Sequence, residues 1–521
     1  MGVAVTPAMG QLLGQNLFPT NNPWNQDISS APVATNSASI ISAIGGAVKI
    51  HPDWGMDSPA DGNNPLYGIP YNVVHGNSTA KISVVIDDYA DESDIVPAPI
   101  PTNAVIEGDF ENGPNTNGPG YNLNQRGDSH LLVWDEDNNV VYEFYGTARP
   151  SDTNTLDEVK HTDGKWHAAQ ETVWNFNTND FRPLGYTSAD AAGLSVLAGL
   201  VRPDEGLPVS QGGQGAINHA LRMTLPSSIV SDQYIYPASH IVSASGKLPF
   251  GARLRLKNNS TINALIATMG PESQIVAHAM QHYGLILADI GSSMYVTGSS
   301  AAINATNGIG LVWNMDDILN GLRQLSASNF DLVNLTAAVT NLSQSSGATG
   351  TSLTITGYNF SGAAGHLFVF FGTNAAPVAN VLSDSQISVT VPTGSGTVDV
   401  TVQSGLHEPD TNDGPGANVH EPIFGYGVSA TNSADRFTYV TTPKTPKILR
   451  FSIAGGNFII SGTNNSGSGG TYEVLGSTNL LLPVTNWPVL ASGSFNSMGN
   501  FSFTNAISST NTGMFYLLRV P

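Results

Sequence analysis

Cysteine is absent from all 521 residues. Disulfide staples, thiol nucleophiles and iron–sulfur ligation are thereby excluded, and each domain must rely on its own core. Charge is scarce as well. The chain has 19 Lys and Arg against 40 Asp and Glu, 11% of the residues in all, with a net charge of −21. Globular proteins ordinarily carry about a quarter. Neutralising phosphates takes clustered Lys and Arg, so nucleic acid is not expected as a partner. Adsorption to anionic lipid is disfavoured for the same reason. No window reaches the ~18 consecutive apolar residues that a span needs, so membrane insertion is not expected. The runs QGGQG and SGSGG lack a following Lys-Ser/Thr, which excludes a P-loop. GLSVLAG is not a GxSxG nucleophile elbow.

What is abundant is Gly, 55 residues, and Pro, 31 residues, among many Ser, Thr and Asn. That texture predicts short strands and many turns. It also predicts an exported protein. The opening MGVAVTPAMGQLLGQN has neither a basic n-region nor an apolar core, so on this reading an export signal was removed and Met1 added.

The expected fold is mainly β. A module over residues 1–337, β-sandwich-like with two late helices, would carry the site. It begins irregularly, over 1–80. Its clearest element is a hairpin, HLLVWD at 130–135 and VVYEFYG at 140–146 about an EDNN turn. The helices are expected at 271–283, closed by Gly284, and at 316–325, with a second hairpin between them at 285–296. The run GYTSADAAGLSVLAGLVRPDE, then GAINHALRMT, YPASH, PFGARLRLK and HYGLILAD, is similar to a group of secreted bacterial and fungal proteins. That resemblance spans about 50–335 and implies one unit; it names no reaction.

After residue 338 come Gly347, Gly350, Leu353, Ile355, Gly357, Phe360, Val369, Phe371, Gly372, Ile387, Val389, Pro392 and the strand 398–402. This pattern resembles the IPT/TIG immunoglobulin-like domain, over 338–440, with a polar insert at about 406–434. Such domains are spacers or binding modules, so the resemblance implies no chemistry. A Pro-punctuated linker, TTPKTPK, leads to a small β module at 448–521.

Candidate chemistry concentrates in residues 166–224. Asp204 and Glu205 are adjacent, so on a strand only one would face a given cleft; their surroundings predict a loop at a strand end. Solvated loop acids are the plain alternative. Strand alternation over 216–225 sends His219 inward with Ile217, Leu221 and Met223, and Arg222 outward to the surface. Burial of His219 with a hydrogen-bond partner is the plain alternative there. Glu143 shares a hairpin face with Val141 and Tyr145, where desolvation would raise its pKa. A raised acid paired with a second carboxylate, such as Asp128, is what glycoside hydrolysis requires. Trp166, His167, Tyr186 and Trp54 are candidate sugar platforms, since aromatic faces stack on apolar faces of sugars.

No HxH or HExxH spacing occurs. His278 and His282 stand four apart on the expected helix, and the acidic loops Asp53–Asp57–Asp61 and Asp410–Asn412–Asp413 have oxygen ligands suited to Ca²⁺. No cofactor is required; the acidic loops would suit Ca²⁺, and the His278–His282 pair would suit Zn²⁺ or Cu²⁺ given a third ligand. The expected function is a secreted, monomeric glycoside hydrolase acting on a polysaccharide. In it Glu143 or Glu205 is the acid, Asp128 or Asp204 the second carboxylate, and His219 an orienting group. The alternatives are a non-catalytic glycan-binding or adhesion protein and a His-ligated metalloenzyme.

Overall fold

The computed structural model describes residues 10–56, 66–109, 128–152, 163–183, 185–299, 311, 313–360, 367–404, 427–440, 446–464, 470–510 and 513–520. The chain forms two compact units. One comprises Met1–Ser345 with Thr349–Thr438, the other Ser346–Ala348 with Tyr439–Pro521. The architecture is mainly β. Among the described residues no helix is long and apolar enough to cross a membrane.

The principal strands that precede the immunoglobulin-like part are β1 (His51–Asp53), β2 (Tyr71–Val74), β3 (Leu131–Asp135), β4 (Val140–Tyr145), β5 (Gln170–Asn175), β6 (Leu221–Leu225), β7 (Arg253–Leu256), β8 (Leu285–Ile290), β9 (Tyr295–Thr297) and β10 (Phe330–Leu332). One sheet has the order β5-β4-β3-β2, the other β10-β7-β8-β6-β9-β1. The expected β3–β4 hairpin forms. Its turn is held by Asp135 Oδ1, which accepts from the backbone N–H of Asp137 and Asn138, and closed by Asn139 at φ +52°. Asn tolerates that left-handed conformation better than most residues. In its register Leu132 faces Glu143 and Trp134 faces Val141. Both faces of this sheet are covered. Leu132, Trp134, Val141 and Trp174 join the main core, while Leu131, Val133, Tyr142 and Phe144 join a second apolar cluster.

The short helices are α1 (Ser37–Ile44), α2 (Val196–Gly199), α3 (Pro203–Gly206), α4 (Ser260–Ile266), α5 (Pro271–His282) and α6 (Met315–Leu322). Helix α1 falls in the stretch expected to be irregular. Helix α5 starts with Pro271 at its first turn, as the sequence predicts, and stops before Gly284 at φ +74°. A Cβ at that glycine would stand 2.6 Å from the Leu254 carbonyl.

The stretch 285–296 is not a hairpin. Strands β8 and β9 do not pair with each other but flank β6, β8 in parallel and β9 antiparallel to it. Turn residues between two apolar runs are compatible with both arrangements. Competition for the central position, where β8 buries Leu285, Ile286, Leu287 and Ala288 completely, decides for the crossover.

The immunoglobulin-like part has strands β11 (Ala338–Leu342), β12 (Ser352–Tyr358), β13 (Leu367–Phe371), β14 (Ala379–Ser383), β15 (Gln386–Thr390), β16 (Thr397–Ser404) and β17 (Arg436–Tyr439). One sheet runs β11-β12-β15-β14; in the other β16 lies between β17 and β13. Leu353, Ile355, Val369, Phe371, Ile387, Val389, Val400, Val402 and Phe437 are buried between them. Asp384 accepts from Gln26 Nε2 at 3.0 Å, tying this sandwich to the N-terminal segment of the same unit.

The second unit has strands β18 (Lys447–Ala454), β19 (Asn457–Thr463), β20 (Thr471–Ser477), β21 (Val489–Ser494), β22 (Asn500–Ala506) and β23 (Phe515–Arg519). Its sheets, β18-β19-β22 and β21-β20-β23, enclose Ile460, Tyr472, Val474, Phe495, Phe501 and Phe503.

Helices α5 and α6 cap each other. Asp317 of α6 accepts from the Glu272 and Ser273 N–H groups of α5, at 2.9 and 3.3 Å. Glu272 in turn accepts from Asn314 N at 2.8 Å. Each carboxylate satisfies orphan donors at the other's positive end. Asp317→Ala is expected to destabilise the fold by about 1–2 kcal/mol in urea unfolding. Val209→Ala, at a position 74% exposed, is expected to change stability by less than about 0.5 kcal/mol. Equal midpoints for the two variants would contradict the mutual cap.

Candidate functional site

Two polar clusters occupy the interior of the larger unit, and they differ in access to solvent. The first is sealed. Arg202 precedes α3, Asp204 and Glu205 lie within it, and all three are buried, as is His219. His219 Nδ1 donates to the Ala220 carbonyl at 2.7 Å, and Nε2 meets Glu205 Oε1 at 2.9 Å. Arg202 Nη2 donates to the same oxygen at 2.9 Å. Its Nη1 donates to the carbonyls of Leu197 and Leu200.

The strand-end loop expected around Asp204 and Glu205 is thus a buried helical turn begun by Pro203. Burial, then the neighbouring Glu205, pushes the Asp204 carboxyl up to about 6, against the pull of Arg202. The N-terminal segment closes over the cluster. Leu13 N donates to Asp204 Oδ2 at 2.9 Å, and Gln11 O accepts from Arg202. At Gly10 a Cβ would meet His219 Cβ at 2.8 Å, so only glycine fits there.

Glu143 is also buried and fully engaged. Its carboxylate accepts from Trp174 Nε1, Ser195 Oγ, Val196 N and Leu197 N, all within 3.0 Å. It therefore caps α2 and ties β4 to it. Burial pushes its pKa up to about 7, opposed by those four donors.

The candidate platforms divide similarly. Trp54 is 1% exposed, with its ring centroid 5.8 Å from that of Trp313, so it is a core residue and presents no face to a ligand. Trp166 packs half-buried against the second apolar cluster. His167 is buried between Asp87 at 2.8 Å and Asp163 at 2.9 Å. Tyr186 is half-buried beneath the Arg182 guanidinium. Asp53 is described, while Asp57, Asp61 and the 410–413 loop lie outside the described residues. His282 faces Asp27 and His278 faces Gln281. Among the described residues no group of three His, Asp or Glu is placed to hold a metal.

The second cluster opens onto a pocket of about 270 Å³, lined by Tyr89, Tyr145, Asp128, Asp289, His240, Val242, Ile290 and residues 187–189 and 191. An ion pair adjoins its wall, with Asp190 between the lining residues Ala189 and Ala191 and Arg222 against the lining residue Asp289. Arg222, on β6, makes a two-pronged contact with Asp190, Nε to Oδ2 at 2.9 Å and Nη2 to Oδ1 at 2.7 Å. Nη1 donates to Thr297 Oγ1 at 2.7 Å. Arg222 is 3% exposed, so the surface position expected from strand alternation is corrected. Flanked by β8 and β9 and covered on both faces, β6 has no solvent side. The guanidinium is buried because Asp190 meets it.

Asp289 shares Nη2 of Arg222 at 3.3 Å. It reaches that position through a bulge. Met223 pairs with Leu287 but Thr224 with Asp289, so Ala288 is the extra residue. Strict alternation would place Asp289 on the face of Leu287; the bulge turns it to the face of Arg222.

Behind the pocket wall, Glu107 meets His130 Nδ1 at 2.6 Å, and His130 Nε2 donates to the Ala189 carbonyl. Burial lowers the pKa of His130, but Glu107 and Asp128 more than reverse this and carry it up to about 10. The carboxyls of Asp53, Glu107, Asp128, Asp190 and Asp289 thus share two cations, Arg222 and His130. Negative charge is in surplus, and it raises the pKa of three of them, Asp53, Asp128 and Asp289. Asp289 is held well above the usual carboxylate range by burial first, then by Asp190 and Asp128. Asp128, solvent-facing at the rim, is shifted the same way by desolvation and Glu107. Asp53 is pushed up to about 6, by burial and then by Glu107. His240 donates from Nδ1 to the Ala191 carbonyl, and burial lowers its pKa, leaving a neutral ring in the wall.

Of the acids singled out in the sequence, Asp128 alone lines this pocket. Asp289 lines it too, while Asp190, Glu107 and Asp53 act on these two from outside the lining through their charge. The one local signal for Asp289 is an acid ending an apolar run before glycine, in LILADIG.

The raised pKa of His130 makes a stability prediction. Its folded value, about 10, exceeds the ordinary 6.5. The stabilisation is therefore full below pH 6.5 and is lost as pH rises toward 10. The carboxyls of Asp53, Glu143 and Glu171, held near 6, 7 and 8, change stability in the same direction. Urea midpoints are expected to fall between pH 6 and pH 9.5, and by less in Glu107→Gln. An unchanged slope in that variant would refute the His130–Glu107 assignment.

Comparisons with known proteins bear on part of the chain. No curated protein sequence matches it. Among solved structures, a cytokine receptor complex overlaps 35% of this chain and 87% of its own, at 12% identity and a TM-score of 0.17. A structure with a xylogluco-oligosaccharide overlaps 34% of this chain and 36% of its own, at 12% identity and a TM-score of 0.17. The Bacteroides ovatus mixed-linkage glucan utilization locus protein SGBP-B, in complex with a mixed-linkage heptasaccharide, overlaps 35% and 48%, at 12% identity and a TM-score of 0.13. Likeness at that level carries neither fold nor ligand across. One family model does match, over residues 337–416, and it agrees with the strands found there. The chain carries an IPT/TIG domain.

Proposed function

We propose that the chain is an exported, polysaccharide-active enzyme, a glycoside hydrolase whose paired carboxylates are Asp289 and Asp128. The observation that carries this reading is the sharing of Arg222. Asp190 takes both prongs of the guanidinium, and Asp289, in the pocket wall, meets that cation at 3.3 Å and otherwise accepts from the neutral Ile290 N–H at 2.7 Å. A carboxyl deprived of its counter-charge in a crowded acidic site keeps its proton, and a protonated carboxyl is what glycosidic bond cleavage uses as general acid. Asp128, at the solvent-facing rim, serves as the second carboxylate, acting on water or on the sugar itself. Tyr89 and Tyr145 line the pocket, and we assign them to stacking on one sugar ring. At about 270 Å³ the cavity lies just below the usual range for small-ligand sites, roughly 300–1,000 Å³. It suits a chain end better than a long segment. Glu143, Glu205, Asp204 and His219 then have structural roles, since each is bonded in the interior.

The test is release of reducing ends from a panel of neutral polysaccharides. Asp289→Asn and Asp128→Asn are each expected to lower kcat by about 10²–10⁴. Activity should fall as pH rises through the raised Asp289 pKa, because the acid is then ionised, and fall again at low pH as Asp128 takes up a proton. Full rates in both variants would remove the assignment. Glycan binding without release by the wild type would leave a binding protein, a reading the two tyrosines in the pocket also support.

A further inference from the structure

The second unit differs from the rest of the chain in charge. Residues 439–521 contain Lys444, Lys447, Arg450 and Arg519 against Glu473 alone, a net charge of +3. With −21 for the whole chain, the remainder carries −24. Arg519 is paired with Glu473. Lys447 and Arg450 lie on β18 and, among the described residues, neither meets an acid.

Strand β18 is also an open edge. Among the described residues it pairs with β19 and with nothing on its other side. Its register explains how it presents side chains. Ile448 lies opposite Gly462, Phe451 opposite Ile460 and Ile453 opposite Phe458. Leu449 is the extra residue of a bulge, and the bulge brings all three apolar residues onto the face that buries Ile460. Lys447 and Arg450, opposite Thr463 and Ser461, occupy the other face.

The inner face is covered at β19 but left open along β18. Ile460 is 3% exposed, whereas Ile448, Phe451 and Ile453 are 45%, 73% and 71% exposed. A contiguous apolar row beside a free backbone edge marks a strand-addition site. Edge protection alone would place charge or proline among residues 451–454, where there is none.

We propose that β18 accepts an extended segment of a partner protein, itself acidic on one face, as a fourth strand of the β18-β19-β22 sheet. The row of free N–H and C=O groups supplies main-chain bonds. The register dictates the segment's pattern: apolar residues on the inner face beside Phe451 and Ile453, acidic ones on the outer face beside Lys447 and Arg450. A second copy of this chain fits less well, because edge-to-edge pairing of β18 would set Lys447 and Arg450 against the same basic residues, with no acid on the strand to meet them.

The experiment uses the full chain and fluorescein-labelled octapeptides followed by anisotropy. One alternates Val and Glu, one has the same residues in two blocks, and one alternates Val and Lys. The alternating acidic peptide is expected to bind at least about tenfold more tightly than either control. Arg450→Glu should reverse the preference between the acidic and basic peptides. The double variant Phe451→Ser, Ile453→Ser should abolish binding; these side chains are exposed, so the fold should persist, as circular dichroism would check. Equal affinities for all three peptides, or no effect of either variant, overturn the proposal. So does concentration-dependent dimerisation lost in the double variant, which would assign the edge to a second copy. Binding to anionic phospholipid vesicles but not to peptide, with the same dependence on Arg450, would assign it to a lipid surface and equally overturn it. Polysaccharide release is unaffected in every case.

Discussion

Asp190 and Arg222 meet in a buried, two-pronged ion pair, and the polar interior around the pocket depends on it. Neither charge would be tolerable alone beneath two covered sheet faces. Together they hold β6 to the loop that carries residues 187–191, and that loop forms one wall of the pocket. The pair also sets the electrostatics. Because Asp190 absorbs the guanidinium's charge, Asp289 faces a carboxylate and a cation already neutralised. Burial raises the Asp289 pKa most, and the neighbouring Asp190 carboxylate adds to it. The same logic applies one layer back, where Glu107 keeps His130 charged.

The Arg202 cluster is a useful contrast. It too joins an arginine to two carboxylates and a histidine, and every member is buried. Yet its members bond one another and the backbone groups of Gln11, Leu13, Leu197, Leu200 and Ala220, and Gly10 lies close against His219. Such an arrangement fixes chain positions. Chemistry needs a route for substrate and water, and this cluster has none among the described residues. The residue types at the two centres are nearly the same; access distinguishes them.

Several elements were legible from local pattern. The β3–β4 hairpin rests on alternation and an Asp/Asn-rich turn, and α5 on a proline start and a glycine stop. The IPT/TIG domain rests on a spaced series of glycines and apolar residues. Asp128 was legible as an acid near a hairpin. Asp289 was not, because its orientation depends on a bulge at Ala288 that exists only when β8 is laid against β6. Arg222 was misplaced because alternation assumes one solvent-facing side, and β6 has none. Glu143 has the environment expected of it, since desolvation raises its pKa, but four donors converge on it and make it a cap. Trp54, at a loop-like position in sequence, is core because Trp313 packs against it from 259 positions later in the chain.

By itself the sequence determined what depends on neighbours along the chain. The absence of cysteine and the dearth of basic residues removed whole classes of chemistry, and periodicity placed strands, turns and the immunoglobulin-like segment. The charge contrast between residues 439–521 and the rest is also a property of sequence. The tertiary structure alone decided which acids face solvent and which are buried, since burial and counter-charge come from residues far apart along the chain. A carboxyl's proton affinity is set by what surrounds it, and strands brought together by crossover make those surroundings.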